Sequence, residues 1–133
     1  MIAAIHAGWK GAFKGIIKRT LNFMIKKGCT PKNITAVIGP CISVKNYEVK
    51  KDFIKKLIKK DGKNKKFFKK IQNKDFFNLK KYIYSQLKTL NIKKIDIINK
   101  DTFNPKNSFF SARRSISRNE NDYGRNISVI MIN

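Results

Sequence analysis

A lone histidine, His6, follows the apolar run Ile2-Ala3-Ala4-Ile5 and opens the stretch His6-Ala7-Gly8-Trp9-Lys10-Gly11. An imidazole at the end of an apolar strand, beside two glycines, can reach a metal ion or a substrate that approaches the backbone closely. One imidazole does not complete a metal centre or an acid–base pair, so other residues must supply the remaining members. The competing role for His6 is a ring that packs or caps at a strand end, and residue types alone leave both roles open.

Four of the five arginines, Arg113, Arg114, Arg118 and Arg125, lie between Asp101 and Asn126, together with Phe109-Phe110-Ser111. Guanidinium groups grip phosphate and carboxylate bidentately, so Arg113, Arg114 and Arg125 form a candidate anion site. Their alternative is pairing with acidic side chains and loop carbonyls, but acids number only 8 in the chain. Lys10 could join such a site as a point charge without the fork geometry of arginine. Cys41, after Gly39-Pro40, would need a neighbouring base to become nucleophilic, and none is evident in the sequence. It reads as an inert thiol, Cys29 carries no functional assignment, and Trp9 reads as a core or pocket-wall ring on which a purine could stack.

These residues need a scaffold. Ile2–Ile5 reads as a buried strand, and Gly11–Lys27 as a helix with Phe13, Ile16, Ile17, Leu21, Met24 and Ile25 at helical spacing. Gly28 is a stop signal, Pro31-Lys32-Asn33 a turn, and Ile34–Ile38 a second buried strand, giving a βαβ-like unit. Residues 52–60 read as an amphipathic helix and Asp61–Lys66 as a polar break. Asn78 caps a further helix, while Ile92–Ile98 and Ile127–Ile132 read as strands. Asp101–Asn126 reads as an irregular loop. The expected class is α/β, a mixed sheet with packed helices.

Composition narrows the field. At 133 residues, 41% hydrophobic and 11% aromatic, the chain has the content of one globular domain. No apolar stretch approaches membrane-spanning length and no signal-peptide pattern opens the sequence, so a cytoplasmic protein with free thiols is expected. Charge is extreme: 31 basic against 8 acidic residues, a net +23. A nucleic-acid or other polyanion-binding role is one reading. The other is compositional drift, because the bases are overwhelmingly lysine and are scattered through every helix as solvated faces would be.

Three stretches occur in order: His6-Ala7-Gly8-Trp9-Lys10-Gly11, then Ile38-Gly39-Pro40-Cys41-Ile42 with Tyr47-Glu48-Val49, then Phe109-Phe110-Ser111-Ala112-Arg113-Arg114 with Gly124-Arg125. Together they resemble the laccase-domain family, whose members have been called multicopper polyphenol oxidases and YfiH-like purine nucleoside phosphorylases. Lys10 stands in place of the family's usual arginine, Ala112 in place of its tyrosine, and Asp101 in place of a cysteine. The resemblance implies a zinc-dependent purine nucleoside phosphorylase that also deaminates adenosine, with purine nucleoside and phosphate as substrates. It makes His6 a zinc ligand, with copper as the older alternative metal, and Lys10, Arg113, Arg114 and Arg125 substrate-binding residues. Gly8, Gly11 and Gly39 would allow close backbone approach. Residues 1–133 are then expected to be a single laccase-like domain without the family's N-terminal portion, which carries a second histidine and a cysteine for zinc. On that expectation the isolated chain is inactive or incomplete, and a second chain could supply the missing ligands. A non-catalytic polyanion-binding remnant and a copper-dependent polyphenol oxidase are the alternatives.

Overall fold

The computed structural model describes residues 1–132, which divide into two compact units. The first comprises residues 1–38, 80–98 and the end of the chain from Ser128; the second comprises residues 39–79 and 99–127. Helices, parallel pairing and antiparallel pairing are all present, so the α/β class with mixed pairing holds. No helix among the described residues is long and apolar enough to cross a membrane.

In the first unit, α1 (Trp9–Phe13) and α2 (Ile16–Lys26) replace the single expected helix. Gly15 sits between them at φ +84°, a left-handed conformation that interrupts the α-helix and that glycine adopts at little cost. Below α2 the stop signal works as read. Gly28, at φ +91°, donates to the Ile25 carbonyl, and Cys29 N–H donates to Met24, the paired bonds of a Schellman motif. β1 (Thr35–Ile38) pairs in parallel with β5 (Lys94–Ile97), Ala36 opposite Ile95. α4 (Leu79–Thr89) precedes β5, and apart from its first residue lies in this unit. Ile17, Leu21, Met24, Ile83, Leu87 and Ile92 are buried here, and Gln86 Nε2 donates to the Ala12 carbonyl at 3.2 Å, tying α4 to α1.

Two expected strands do not form. Ile2–Ile5 and Ile127–Ile132 have no strand structure, and both segments carry exposed apolar side chains. A strand exists only with a hydrogen-bonded neighbour, and among the described residues β1 and β5 pair only with each other. The βαβ-like reading of residues 2–38 therefore fails at its first strand.

The second unit is antiparallel. β2 (Glu48–Val49), β4 (Lys74–Phe77) and β3 (Phe68–Ile71) lie in that order, with α3 (Lys51–Lys60) preceding a 3₁₀ segment, Gly62–Phe67. Residues 68–77 form a hairpin that the sequence reading passed over, and its two turn residues, Gln72 and Asn73, both have positive φ. That is the backbone twist tight two-residue hairpins require. Phe77 is fully buried, with the rings of Phe53, Phe68 and Tyr47 centred 5.1, 5.3 and 5.8 Å away. Burying one such ring contributes roughly 1.5–3 kcal/mol from area alone, and edge contacts add to it. Asn64, also buried, gives its amide to the Leu57 carbonyl at 2.8 Å, so the turn after α3 leaves no unmet donor there. The segment expected to be irregular carries a helix, α5 (Ala112–Ser117), capped at its start by the Ser111 hydroxyl, which accepts from Arg114 N–H.

Candidate functional site

His6 belongs to the first unit. Its side chain is exposed, and its Nε2 lies over Gly8, where an added Cβ would stand 3.1 Å away. The glycine before α1 thus has a local purpose: any side chain there would press on the imidazole. Lys10 is exposed as well and extends over the Trp9 ring, 5.8 Å from its centre, within cation–π range. A Cβ at Gly11 would make ordinary contact with the His6 carbonyl, and one at Gly39 would meet nothing.

A zinc site needs about three or four protein donors converging on one point. Among the described residues no group of three or more histidine, cysteine, aspartate or glutamate side chains is placed to hold a metal ion. The donors present in this chain therefore do not by themselves fit a zinc or copper centre. Neither Cys29 nor Cys41 forms a disulfide.

The arginines of the second unit are differently employed. Arg114 is half-buried. Its Nη1 donates to the carbonyls of Thr102 and Phe103, both at 3.0 Å, and its Nη2 to that of Phe109 at 2.6 Å. A guanidinium committed to three carbonyls ties the loop together and has few donors left for a ligand. Arg125 is exposed and folds back on its own loop. Its guanidinium stacks 4.0 Å from the Tyr123 ring centre, donates to the Tyr123 carbonyl, and lies 3.9 Å from Asp122.

Arg113 is exposed. It lines a cleft of 550 Å³ with Lys45, Lys74, Phe76, Phe103 and Ile116. Nη1 donates to the Glu48 carbonyl at 3.2 Å, and the guanidinium carbon lies 5.3 Å from the centre of the Tyr47 ring. Burial pushes the Tyr47 phenol up from its ordinary pKa, against the opposing pull of Arg113, so the ring under the guanidinium stays neutral. Lys74 bonds the Glu48 carboxylate at 3.1 Å across the β2–β4 pair. A carbonyl and a ring face hold the Arg113 guanidinium in place where it lines the cleft. Such a preset fork suits an anion.

The loop behind the cleft is held by Asp101. Its carboxylate accepts from Ser43 N–H at 3.0 Å, Asn46 Nδ2 at 2.7 Å and Phe103 N–H at 2.9 Å. Burial raises the carboxyl pKa, but the hydrogen bonds from Ser43, Phe103 and Asn46 outweigh it and hold the group below its ordinary value. Asp101 also forms a parallel bridge with Cys41. The cleft residues Lys45, Lys74, Phe76 and Ile116 were not marked in the sequence. Only the turn pair Gln72-Asn73, which brings Lys74 beside Glu48, could have pointed to them.

This fold and these motifs define a class. The model of the multi-copper polyphenol oxidoreductase laccase family matches residues 1–133, and the chain belongs to that family. It is similar to a purine nucleoside phosphorylase of Rickettsia conorii, with 37% identity over 96% of this chain and 52% of the relative. It is also similar to a purine nucleoside phosphorylase of Haemophilus influenzae, 36% identical over 97% of this chain and 51% of the relative. The purine nucleoside phosphorylase YfiH of Shigella flexneri is 30% identical over 85% of this chain and 45% of the relative. The chain spans about half the length of these curated relatives.

Proposed function

We propose that this protein serves the phosphorolysis of purine nucleosides and that Arg113 holds the phosphate. In that reaction a phosphate oxygen bonds to C1′ of the sugar as the bond from C1′ to the purine nitrogen breaks. The bond's electron pair leaves with the base, which takes up a proton. The attacking dianion must be held still and its charge balanced, which a guanidinium held in place and a nearby ammonium can do. The observation that carries the reading is Arg113, anchored on Glu48 and Tyr47 and open to a cleft that also holds Lys45 and Lys74. The names of the relatives supply the reaction class. Arg114 has a positioning role in this proposal, because its donors meet carbonyls. Arg125 and Lys10 remain proposed substrate contacts, and His6 a proposed zinc ligand whose companion ligands the described residues do not provide.

Phosphate binding followed by ³¹P NMR is expected to be lost in Arg113→Ala and retained in Arg125→Ala. Equal binding by wild type and Arg113→Ala would overturn the assignment. With inosine and phosphate, the 133-residue chain is expected to release little hypoxanthine and to carry little zinc, whether or not His6 is replaced. Full turnover would show that the metal reading of His6 is wrong or that the reaction proceeds without it.

The net charge of +23 supports one other reading, binding of nucleic acid through lysine-covered faces. Its mark is affinity that falls steeply as salt rises. A flat salt response would dismiss it.

A further inference from the structure

The cleft beside Arg113 is lined by two kinds of side chain: the cations Lys45, Lys74 and Arg113 with the single carboxylate of Glu48, and the apolar Phe76, Phe103 and Ile116. Lys74 and Phe76 share one face of β4, and Arg113 and Ile116 lie one turn apart on α5, so charged and apolar groups are interleaved. Ile116 is 66% exposed, a branched apolar side chain left to solvent. Free phosphate would use the cations and leave the apolar side chains wet. A volume of 550 Å³ is well above what one phosphate fills and falls within the range of about 300–1,000 Å³ typical of small-molecule sites.

We infer that the cleft binds a nucleoside monophosphate, a phosphomonoester carrying a flat aromatic base, as one ligand. This rests on the anion-binding reading of Arg113 and extends it. A phosphomonoester carries about −1.5 to −2 at neutral pH, matching three cations less one carboxylate. Its non-bridging phosphate oxygens meet the guanidinium of Arg113 and the ammonium of Lys45. Its base lies against Phe76, Phe103 and Ile116, where apolar contact with a π-face needs no base-specific hydrogen bonds. Binding is a property separate from turnover, because the phosphate arrives already bonded to the sugar and cannot serve as the attacking group.

The test is titration of the 133-residue protein with adenosine 5′-monophosphate, adenosine, ribose 5-phosphate and inorganic phosphate, at an ionic strength of about 0.15 M that suppresses diffuse attraction. The monophosphate is expected to bind about tenfold more tightly than ribose 5-phosphate or adenosine, the size of one good ring contact or one charge pair. Arg113→Ala should weaken the monophosphate and ribose 5-phosphate together. Ile116→Ser, at an exposed position that folding does not depend on, should weaken the monophosphate alone. Equal affinity for the monophosphate and ribose 5-phosphate overturns this inference and leaves the phosphate site standing. Adenosine binding as tightly as its monophosphate overturns it as well. Binding of every anion that Arg113→Ala leaves unchanged, or no binding at all, sinks both readings.

Discussion

Asp101 and Asn46 are joined by a hydrogen bond of 2.7 Å, from the Asn46 amide to the Asp101 carboxylate. The same carboxylate receives the N–H groups of Ser43 and Phe103, so one side chain fixes two loop segments to each other. Asp101→Ala is expected to destabilise the protein by about 1–3 kcal/mol, since hydrogen bonds to a charged acceptor are lost and partly buried donors are left unmet. Urea denaturation of the variant beside wild type at neutral pH measures it.

The same group makes stability depend on acid. The folded state holds the Asp101 carboxyl below its unfolded value, so its contribution is complete above the ordinary carboxylate range of about 4 and disappears as pH falls through the lower folded value. Wild type is expected to lose stability over the acid interval below about pH 4, and Asp101→Asn to lose less. Denaturation midpoints measured across that interval for the two proteins decide it.

Neighbouring arginines should respond oppositely to lysine. Arg114→Lys removes a fork that reaches three carbonyls, and a single ammonium cannot span Thr102, Phe103 and Phe109. A loss of about 1–3 kcal/mol is expected. Arg113→Lys, at an exposed position, should stay within about 0.5 kcal/mol while weakening phosphate binding. Thermal unfolding paired with the ³¹P titration separates the two effects.

Gly124 lies against the Phe110 ring, and an added Cβ would stand 2.5 Å from a ring carbon. The ring is 55% exposed and can swing aside, so Gly124→Ala is expected to cost only about 1 kcal/mol. The displaced ring should also strain the bonds that the Asn126 amide makes with both the N–H and the carbonyl of Phe110. In a Phe110→Ala background the penalty should vanish. A double-mutant cycle on unfolding free energies reads the coupling directly.

Phe77→Ala removes the centre of the second unit's aromatic cluster and should cost about 3–5 kcal/mol, the largest effect among these substitutions. Chemical denaturation, or failure to recover folded protein, would register it.

Helices were legible because their apolar spacing and stops are local. α3 and α4 lie within a residue or two of the expected positions, and Gly28 ends α2 as its chemistry dictates. Asn91 and Asn119 do the same work for α4 and α5 at φ +62° and +56°, but asparagine is a weaker sign of that role than glycine. Strands were harder, because an apolar run says nothing about whether a neighbour exists. Ile34–Ile38 found β5, whereas Ile2–Ile5 and Ile127–Ile132 found no strand partner among the described residues. Within the candidate site, arginine content was visible in the sequence and its division of labour was not. Which of two adjacent guanidiniums ties the loop together and which lines the cleft depends on residues as distant as Glu48.

A parallel sheet of two strands leaves both outer backbone edges of β1 and β5 without a strand partner among the described residues, and Val37 and Ile97 stand in solvent on it. Sticky edges of this kind invite another molecule to zip on, and the net charge of +23 should oppose that between copies. Dissolved salt shortens the reach of that repulsion without softening the apolar contact, so concentrated brine is the condition under which this protein should clump.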